Sequence, residues 1–394
     1  MELSDLKCLI VDYAGSIDRS GSQLEQLNQS SSIRSIIVGG VKEAKLHFES
    51  GVVSGIGLVT NEMNGDVSEV LQLFQQKTVC FPDHQMIFCD DPDPDLMMNV
   101  FEYGVEQFTD LKSWVAQFSD MVSNIAATLS DPSTTAYKCF MLNAAVKSAN
   151  QNVIHEMEKD LSEDSDYDPV AAFSRGKALE AVGNYGEALK NFENAEGLNS
   201  LFRPAQSGVG EALLLSGDVD KAIEVFNKME VSNASHGDRK LWLANAYTEK
   251  GDLEKANQYL SEAQGLKISS SKMLESKILI LLASKKVGEA VKLMDQLTEI
   301  GPHLASKLNA LGVSFSQAGK VKTALTVYKK AHKIVKKELK YKVSLNAALA
   351  CHRGGHFDIA LKYLSRCEKE YGSTFPKLEK IKRAVVAAKN KKAS

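Results

Sequence analysis

Two rhythms of apolar and polar residues divide the chain. Over the first 120 or so positions, short apolar runs alternate with amphipathic stretches. The runs LKCLIVD (6–12), RSIIVGG (34–40), GIGLVT (55–60), HQMIFCD (84–90) and EQFTD (106–110) read as strands. Between Lys7 and Asp12 the first is a continuous apolar run, as a strand covered on both faces should be. Between them SGSQLEQLNQ (20–29), VKEAKLHFESG (41–51), GDVSEVLQLFQQ (65–76), DPDLMMNVFEYG (93–104) and LKSWVAQFSDMV (111–122) carry helical spacing. Five strands alternating with five helices predict an α/β unit with a parallel sheet. In such sheets ligand chemistry gathers at the carboxyl ends of the strands.

From about residue 165 the rhythm lengthens. Ala188, Ala222, Ala256, Ala290 and Ala324 lie 34 residues apart, and Ala360 follows after 36. Gly183, Gly217, Gly251, Gly319 and Gly355 each precede one of these alanines by five residues; Lys285 stands in the fourth such place. Four residues after each alanine comes a large apolar group (Phe192, Phe226, Leu260, Met294, Tyr328, Leu364). Three further on lies Ala195, Met229, Ala263, Leu297, Ala331 or Cys367. A glycine can end one helix in the left-handed conformation. The alanine, the large residue at +4 and the residue at +7 then share one face of the next helix. Six helical hairpins follow. Residues 133–162 are helical in pattern, either a decayed seventh hairpin or a plain inter-domain pair, and 162–168 (SEDSDYD) reads as a linker or turn. PKLEKIKRAVVAAK (376–389) starts at a proline and fits a capping helix.

Composition adds a gradient. The net charge of −3 resolves into −15 over residues 1–165, −4 over 166–300 and +16 over 301–394. The six cysteines show no CxxC spacing and sit mostly in apolar runs, as buried thiols of a reducing compartment do. No signal-peptide pattern opens the chain, and no apolar run approaches a membrane span; a cytoplasmic protein is the expectation. Neither a P-loop nor a GxSxG or dinucleotide-binding glycine pattern occurs, so no cofactor and no enzymatic activity are expected.

The 34-residue hairpin code resembles the tetratricopeptide repeat (TPR) family, over 166–375. The first third resembles the receiver domain of bacterial response regulators: KCLIVDY is similar to its first strand, NEMNG to the loop after its third, and GVEQFTD to its approach to the fifth. The expected fold is therefore multidomain. A flavodoxin-like, receiver-type five-stranded parallel sheet (1–122) and a helical linker or degenerate repeat (123–165) precede an all-α TPR superhelix (166–375) with a capping helix and basic tail (376–394). Receivers accept phosphate on an aspartate, and the resemblance places that position on Thr60. Of the acidic pair that holds Mg²⁺, Asp12 remains and Tyr13 replaces its partner. The switch hydroxyl falls on Cys89 and the lysine on Leu111. Acyl-phosphate formation and Mg²⁺ binding need carboxylate oxygens, so a pseudo-receiver is implied. A residual cation at Asp12, Glu62, Asp90 and Asp91 ranks below the alternative of a solvated loop.

In TPR arrays the first helix of each hairpin lines a concave groove. The resemblance places Lys177, Glu211, Asn245, Leu279, Val313 and Leu349 there, with Leu241 and Leu282 beside them. The first three are polar and the last three apolar, and an exposed apolar stripe marks a binding surface; burial by tighter coiling, a cap or a homodimer mate is the competing reading. The expectation is a non-enzymatic bacterial signalling adaptor holding a peptide or helical protein partner. A phospho-regulated response regulator and nucleic-acid binding through the basic end are the alternatives. Few aromatics interleave that end, which disfavours nucleic acid; a solvated basic face is the plain reading, and contact with an acidic protein surface the functional alternative.

Overall fold

The computed structural model describes residues 6–17, 22–30, 32–50, 52–61, 67, 69–71, 73–74, 84–148, 151–233, 236–266, 270–335, 339–371 and 376–393. In the first unit, strands β1 (Leu6–Asp12), β2 (Arg34–Val38), β3 (Val52–Val59), β4 (Gln85–Phe88) and β5 (Gln107–Thr109) form one sheet in the order β2-β1-β3-β4-β5. Every pairing is parallel. Helices α1 (Ser22–Ser30), α2 (Val41–Ser50), α3 (Pro94–Val100) and α4 (Trp114–Ser130) are described beside it. Of the helix predicted over 65–76, only residues 67, 69–71 and 73–74 are described, and they are helical.

Period-two alternation sorts the strand side chains onto two faces. Leu6, Cys8, Ile10, Val59, Met86 and Phe88 pack with Leu27 of α1 and with Phe118, Met121 and Ile125 of α4. Leu9, Val11, Ile56, Leu58 and Ile87 pack with Val41, Ala44 and Phe48 of α2, with Val70 and Phe74, and with Leu96 of α3. Gly57 makes the first face close: a Cβ there would lie 2.5 Å from the Phe88 ring.

The predicted end of this unit, at residue 122, falls inside α4, which runs on to Ser130. The sequence NIAATL continues the apolar spacing through Ile125 and Leu129, both buried. Helices α5 (Thr135–Ser148) and α6 (Gln151–Asp160) follow and pack against each other. Residues of α4, α5 and α6 share one apolar cluster with Val170, Ala171 and Ala178 of the first repeat. The acidic stretch after α6 is a turn rather than a free linker: Lys138 binds Asp164 at 2.6 Å, and Arg175 pairs with Glu158.

Six hairpins then follow: α7 (Pro169–Ala181) with α8 (Tyr185–Leu198), α9 (Arg203–Ser216) with α10 (Val219–Ser232), α11 (Gly237–Lys250) with α12 (Leu253–Gln264), α13 (Ser270–Ala283) with α14 (Val287–Met294), α15 (Pro302–Gln317) with α16 (Val321–Ile334), and α17 (Lys340–Arg353) with α18 (Phe357–Tyr371). Helix α19 (Pro376–Ala393) caps the array by packing Leu378 and Val385 on α17 and α18. All six period alanines are fully buried. Gly183, Gly217, Gly251, Gly319 and Gly355 have φ between 74° and 95°, and Lys285 holds the same left-handed turn at φ 61°. The superhelix nearly meets itself: Lys342 of the sixth hairpin donates to the carbonyl of Val182 in the first.

Candidate functional site

Three places carry the chemistry of this chain. The first is the carboxyl edge of the sheet. Asp12 ends β1, Thr60 follows β3, Cys89 follows β4, and Leu111 lies two residues past β5, with Tyr13 beside Asp12. Parallel register brings these positions to one edge: Tyr13 N–H donates to Val59, Thr60 N–H to Phe88 and Cys89 N–H to Thr109. The side chains are committed locally. Both Asp12 oxygens accept backbone N–H groups, of Ser16 at 3.1 Å and Ile17 at 3.0 Å, so this carboxylate shapes the loop after β1. Asp90 accepts the N–H of Leu111 at 3.1 Å. Burial, with Asp90 beside it, raises the Cys89 thiol above its ordinary value and keeps it protonated. Glu62 and the turn residues to Gly65 lie outside the described residues.

The second place is the row of positions, one period apart, that the repeat resemblance assigns to a groove. Lys177, at 2.8 Å from Glu180 and 3.7 Å from Glu211, links the first two hairpins. Burial pushes the Glu211 carboxyl above its ordinary value, Lys177 opposing and Glu180 adding. Enclosure lowers the Lys177 ammonium, but Glu180 and Glu211 outweigh it and hold it high. Asn245, one period beyond Glu211, is buried, and its side-chain oxygen has no hydrogen-bond partner among the described residues. Further along, Glu249 binds His303 at 2.9 Å and also Lys307, and Asn346 donates to Asn309 at 2.7 Å.

The apolar stripe expected in this groove is not one surface. Leu241 and Leu279 are only 3% exposed and belong to the packing between hairpins. Leu282, Val313 and Leu349 are half-buried. Helical spacing marks one face of a helix but does not separate its concave flank from the flank pressed on the next hairpin. Leu241 lies one turn before Asn245 and turns toward Ala256 and Leu260.

The third place carries no signal that sequence reasoning picked out. Between α3 and β5, residues Phe101–Tyr103 form a 3₁₀ turn ended by Gly104 in the left-handed conformation, φ 77°. This turn packs on α9 and carries two side chains into the array. Glu102 Oε1 lies 2.6 Å from Arg239 Nη2, with both side chains at most 3% exposed. The contact is an ion pair without a well-aligned hydrogen bond, and Glu102 Oε2 finds no hydrogen-bond partner among the described residues. Tyr103 donates to Asp238 Oδ2 at 3.0 Å, and Lys272 donates to the same oxygen at 2.9 Å. Arg239 is anchored by the carbonyls of Met229 at 2.8 Å and Asn233 at 2.6 Å. His236 stacks obliquely on Tyr103, ring centroids 5.6 Å apart, with both ring nitrogens unpartnered among the described residues. Burial lowers the His236 imidazole below its ordinary value. Burial also raises Asp238, but Lys272 and His236, with hydrogen bonds from Lys272 and Tyr103, outweigh it and hold the carboxyl low.

The basic end is mostly paired or solvated. A cavity of about 200 Å³ there is lined by residues including Tyr328, Lys329, His332, Lys333 and Arg366. Glu370 already satisfies Ser344 and His332 on its wall. Lys336 and Lys337 lie outside the described residues. The described cysteines 8, 89, 139, 351 and 367 are free and buried. No helix among the described residues is long and apolar enough to cross a membrane, and no group of three or more candidate metal ligands is present among them.

Comparison with known proteins bears on the array. Models of the tetratricopeptide repeat family match residues 173–236 and 239–267. No curated protein matches the chain. Among solved structures, the chain resembles the APC/C hetero-tetramer Cut9–Hcn1 at 16% identity and TM-score 0.40, over 68% of this chain and 52% of that one. It resembles pilF of Pseudomonas aeruginosa at 18% identity and TM-score 0.34, over 48% and 85%. A thermophilic TPR protein of Thermus thermophilus aligns at 17% identity and TM-score 0.32, over 56% and 99%. The chain thus spans about half the length of the Cut9–Hcn1 chain. Tetratricopeptide repeats are present in this protein, and hairpins of the same helical design continue to Tyr371.

Proposed function

We propose that this protein is a non-enzymatic signalling adaptor, whose repeats hold a peptide or helical segment of a partner protein. The observation that carries this reading is Asn245. A buried amide oxygen left without a donor costs about 1–3 kcal/mol. It sits at the position the repeat resemblance shares with Lys177 and Glu211, and it is enclosed, so a partner's backbone N–H reaches it once the bound segment displaces the side chains that cover it. The half-buried Leu282, Val313 and Leu349 supply apolar contact further along. Tagged full-length protein and Asn245→Leu, both folded by circular dichroism, are compared by affinity capture and mass spectrometry. Loss of captured partners from the variant is expected; an unchanged partner set removes the groove from consideration.

The N-terminal unit is read as a degenerate receiver that makes contacts and accepts no phosphate. Its 2-1-3-4-5 strand order and the meeting of Asp12, Tyr13, Thr60, Cys89 and Leu111 at one edge support the resemblance. A phospho-acceptor needs a free carboxylate beside a bound cation; Thr60 offers a hydroxyl, and Asp12 is occupied by two backbone N–H groups. Incubation with a small-molecule phosphodonor and Mg²⁺ is expected to leave the intact mass unchanged. A phosphoryl adduct that Asp12→Ala abolishes would restore the phospho-regulated reading.

A further inference from the structure

The turn Glu102–Tyr103 and the groove wall it enters make a matched pair. Asp238 and Lys272 occupy equivalent places one period apart, in the first turns of α11 and α13. Both lie close enough to act on the Glu211 carboxyl, so this seat continues the polar wall of the groove. The seat holds a cation, Arg239, fixed by two carbonyls and lying 3.8 Å from Glu230 of the array, whose other oxygen is held by Lys240, beside a carboxylate fixed by an ammonium, Asp238 with Lys272. Arg239 selects a carboxylate, Asp238 selects a hydroxyl donor, and His236 offers a ring face. A glutamate followed by a tyrosine meets all three, and that is what the chain supplies.

The fit is also incomplete. Glu102 Oε2 and both His236 ring nitrogens find no hydrogen-bond partner among the described residues, and the Arg239 Nη2 contact is poorly aligned. Buried polar groups left unsatisfied subtract from the attraction around them. A permanent joint is better served by apolar packing, whereas a joint that must open gains from such a balance.

We infer that the His236–Asp238–Arg239–Lys272 seat is a recognition site for an acidic–aromatic segment, and that Glu102–Tyr103 fills it in cis as a removable plug. An external segment bearing the same pair competes with the plug, and the tether gives the plug a high effective concentration. The proposal rests on the groove reading above only for the competing segment; the plug itself stands on the contacts.

The test uses the full chain in two near-isosteric variants, Glu102→Gln/Tyr103→Phe, which weakens the plug, and Lys272→Met, which strips Asp238 of its counter-charge from the repeat side. Hydrogen exchange is followed at 101–105 and 236–241, with 340–371 as the internal reference for folding. About tenfold faster exchange at both former segments, with the reference unchanged, is expected; unchanged exchange in both variants overturns the plug. A capped synthetic peptide, VFEYGV, is then titrated into the wild type and the plug variant. Binding at least about tenfold tighter to the variant, absent for the control VFQFGV, is expected. Equal binding to both proteins, or none to the variant, overturns the seat as a recognition site. Failure of Asn245→Leu to change partner capture leaves the exchange result untouched, so the two ideas fail separately.

Discussion

The α/β unit shows two polar regions of opposite character. At the carboxyl edge of its sheet, the places that the receiver resemblance gives to a phospho-acceptor, a switch hydroxyl, an acid and a lysine carry Thr60, Cys89, Tyr13 and Leu111, and Asp12 braces its own loop. At the turn after α3, the unit instead buries Glu102 and Tyr103 against Arg239 and Asp238 of the array. The carboxylates at the sheet edge, Asp12 and Asp90, are taken up by backbone N–H groups of nearby loops, whereas Glu102 and Tyr103 at the turn meet charged side chains of another part of the chain.

The hardest blow to this contrast comes from Arg239→Met. Removing one partner of a buried ion pair strands the other, at about 3–5 kcal/mol. Urea unfolding of the variant should show a loss of that size; a loss below about 1 kcal/mol would mean the joint is no more consequential than the sheet edge.

A smaller effect is expected from pH. Burial lowers His236 from its ordinary 6.5, so the unfolded chain takes up the proton first. The stability owed to neutral folded His236 is therefore present above pH 6.5 and is lost as pH falls toward the folded value. Asp238 and Glu102 oppose this shift, and Arg239 and Lys272 add to it. Glu211, raised by burial, works the other way, favouring the folded state in acid and losing that advantage as pH rises. His236→Gln should reduce the loss of stability between pH 6.5 and 5, by no more than the single-proton slope of about 1.4 kcal/mol per pH unit. An identical pH profile in variant and wild type would remove His236 from the balance.

The smallest change concerns the array alone. Lys285 holds a left-handed turn at φ 61° where five other hairpins use glycine. Lys285→Gly should raise stability by about 1 kcal/mol, read as a higher melting temperature; no gain would mean that the lysine's own contacts offset its backbone strain.

How far the sequence reveals this protein differs between its parts. The hairpins are legible because each repeats a local code, in which a buried alanine, a large residue at +4 and a turn residue all lie within about ten positions. The strands are legible for the same reason. Leu241 and Leu279 mislead because periodicity reports burial without naming the neighbour that buries them. The end of α4 misleads because resemblance to a receiver stops near residue 122, although the apolar spacing does not. The seat at Arg239 escapes altogether: Tyr103 and Asp238 are 135 residues apart, and no aspartate recurs at the places equivalent to Asp238 in the other hairpins. Gly104 is the one local hint, since its left-handed turn breaks the helix predicted over 93–104.

The contact from Lys342 to Val182 changes how the array should come apart. An open row of repeats frays from its ends, each hairpin relying only on its neighbours. Here the last hairpin holds the turn of the first, like a bracelet with its clasp fastened. Peeling either end away breaks that hydrogen bond, worth about 1 kcal/mol, so the sixth hairpin and the first are coupled by about that much. Melting should accordingly be sharper than the sum of independent repeats, and Lys342 is where that cooperativity can be cut.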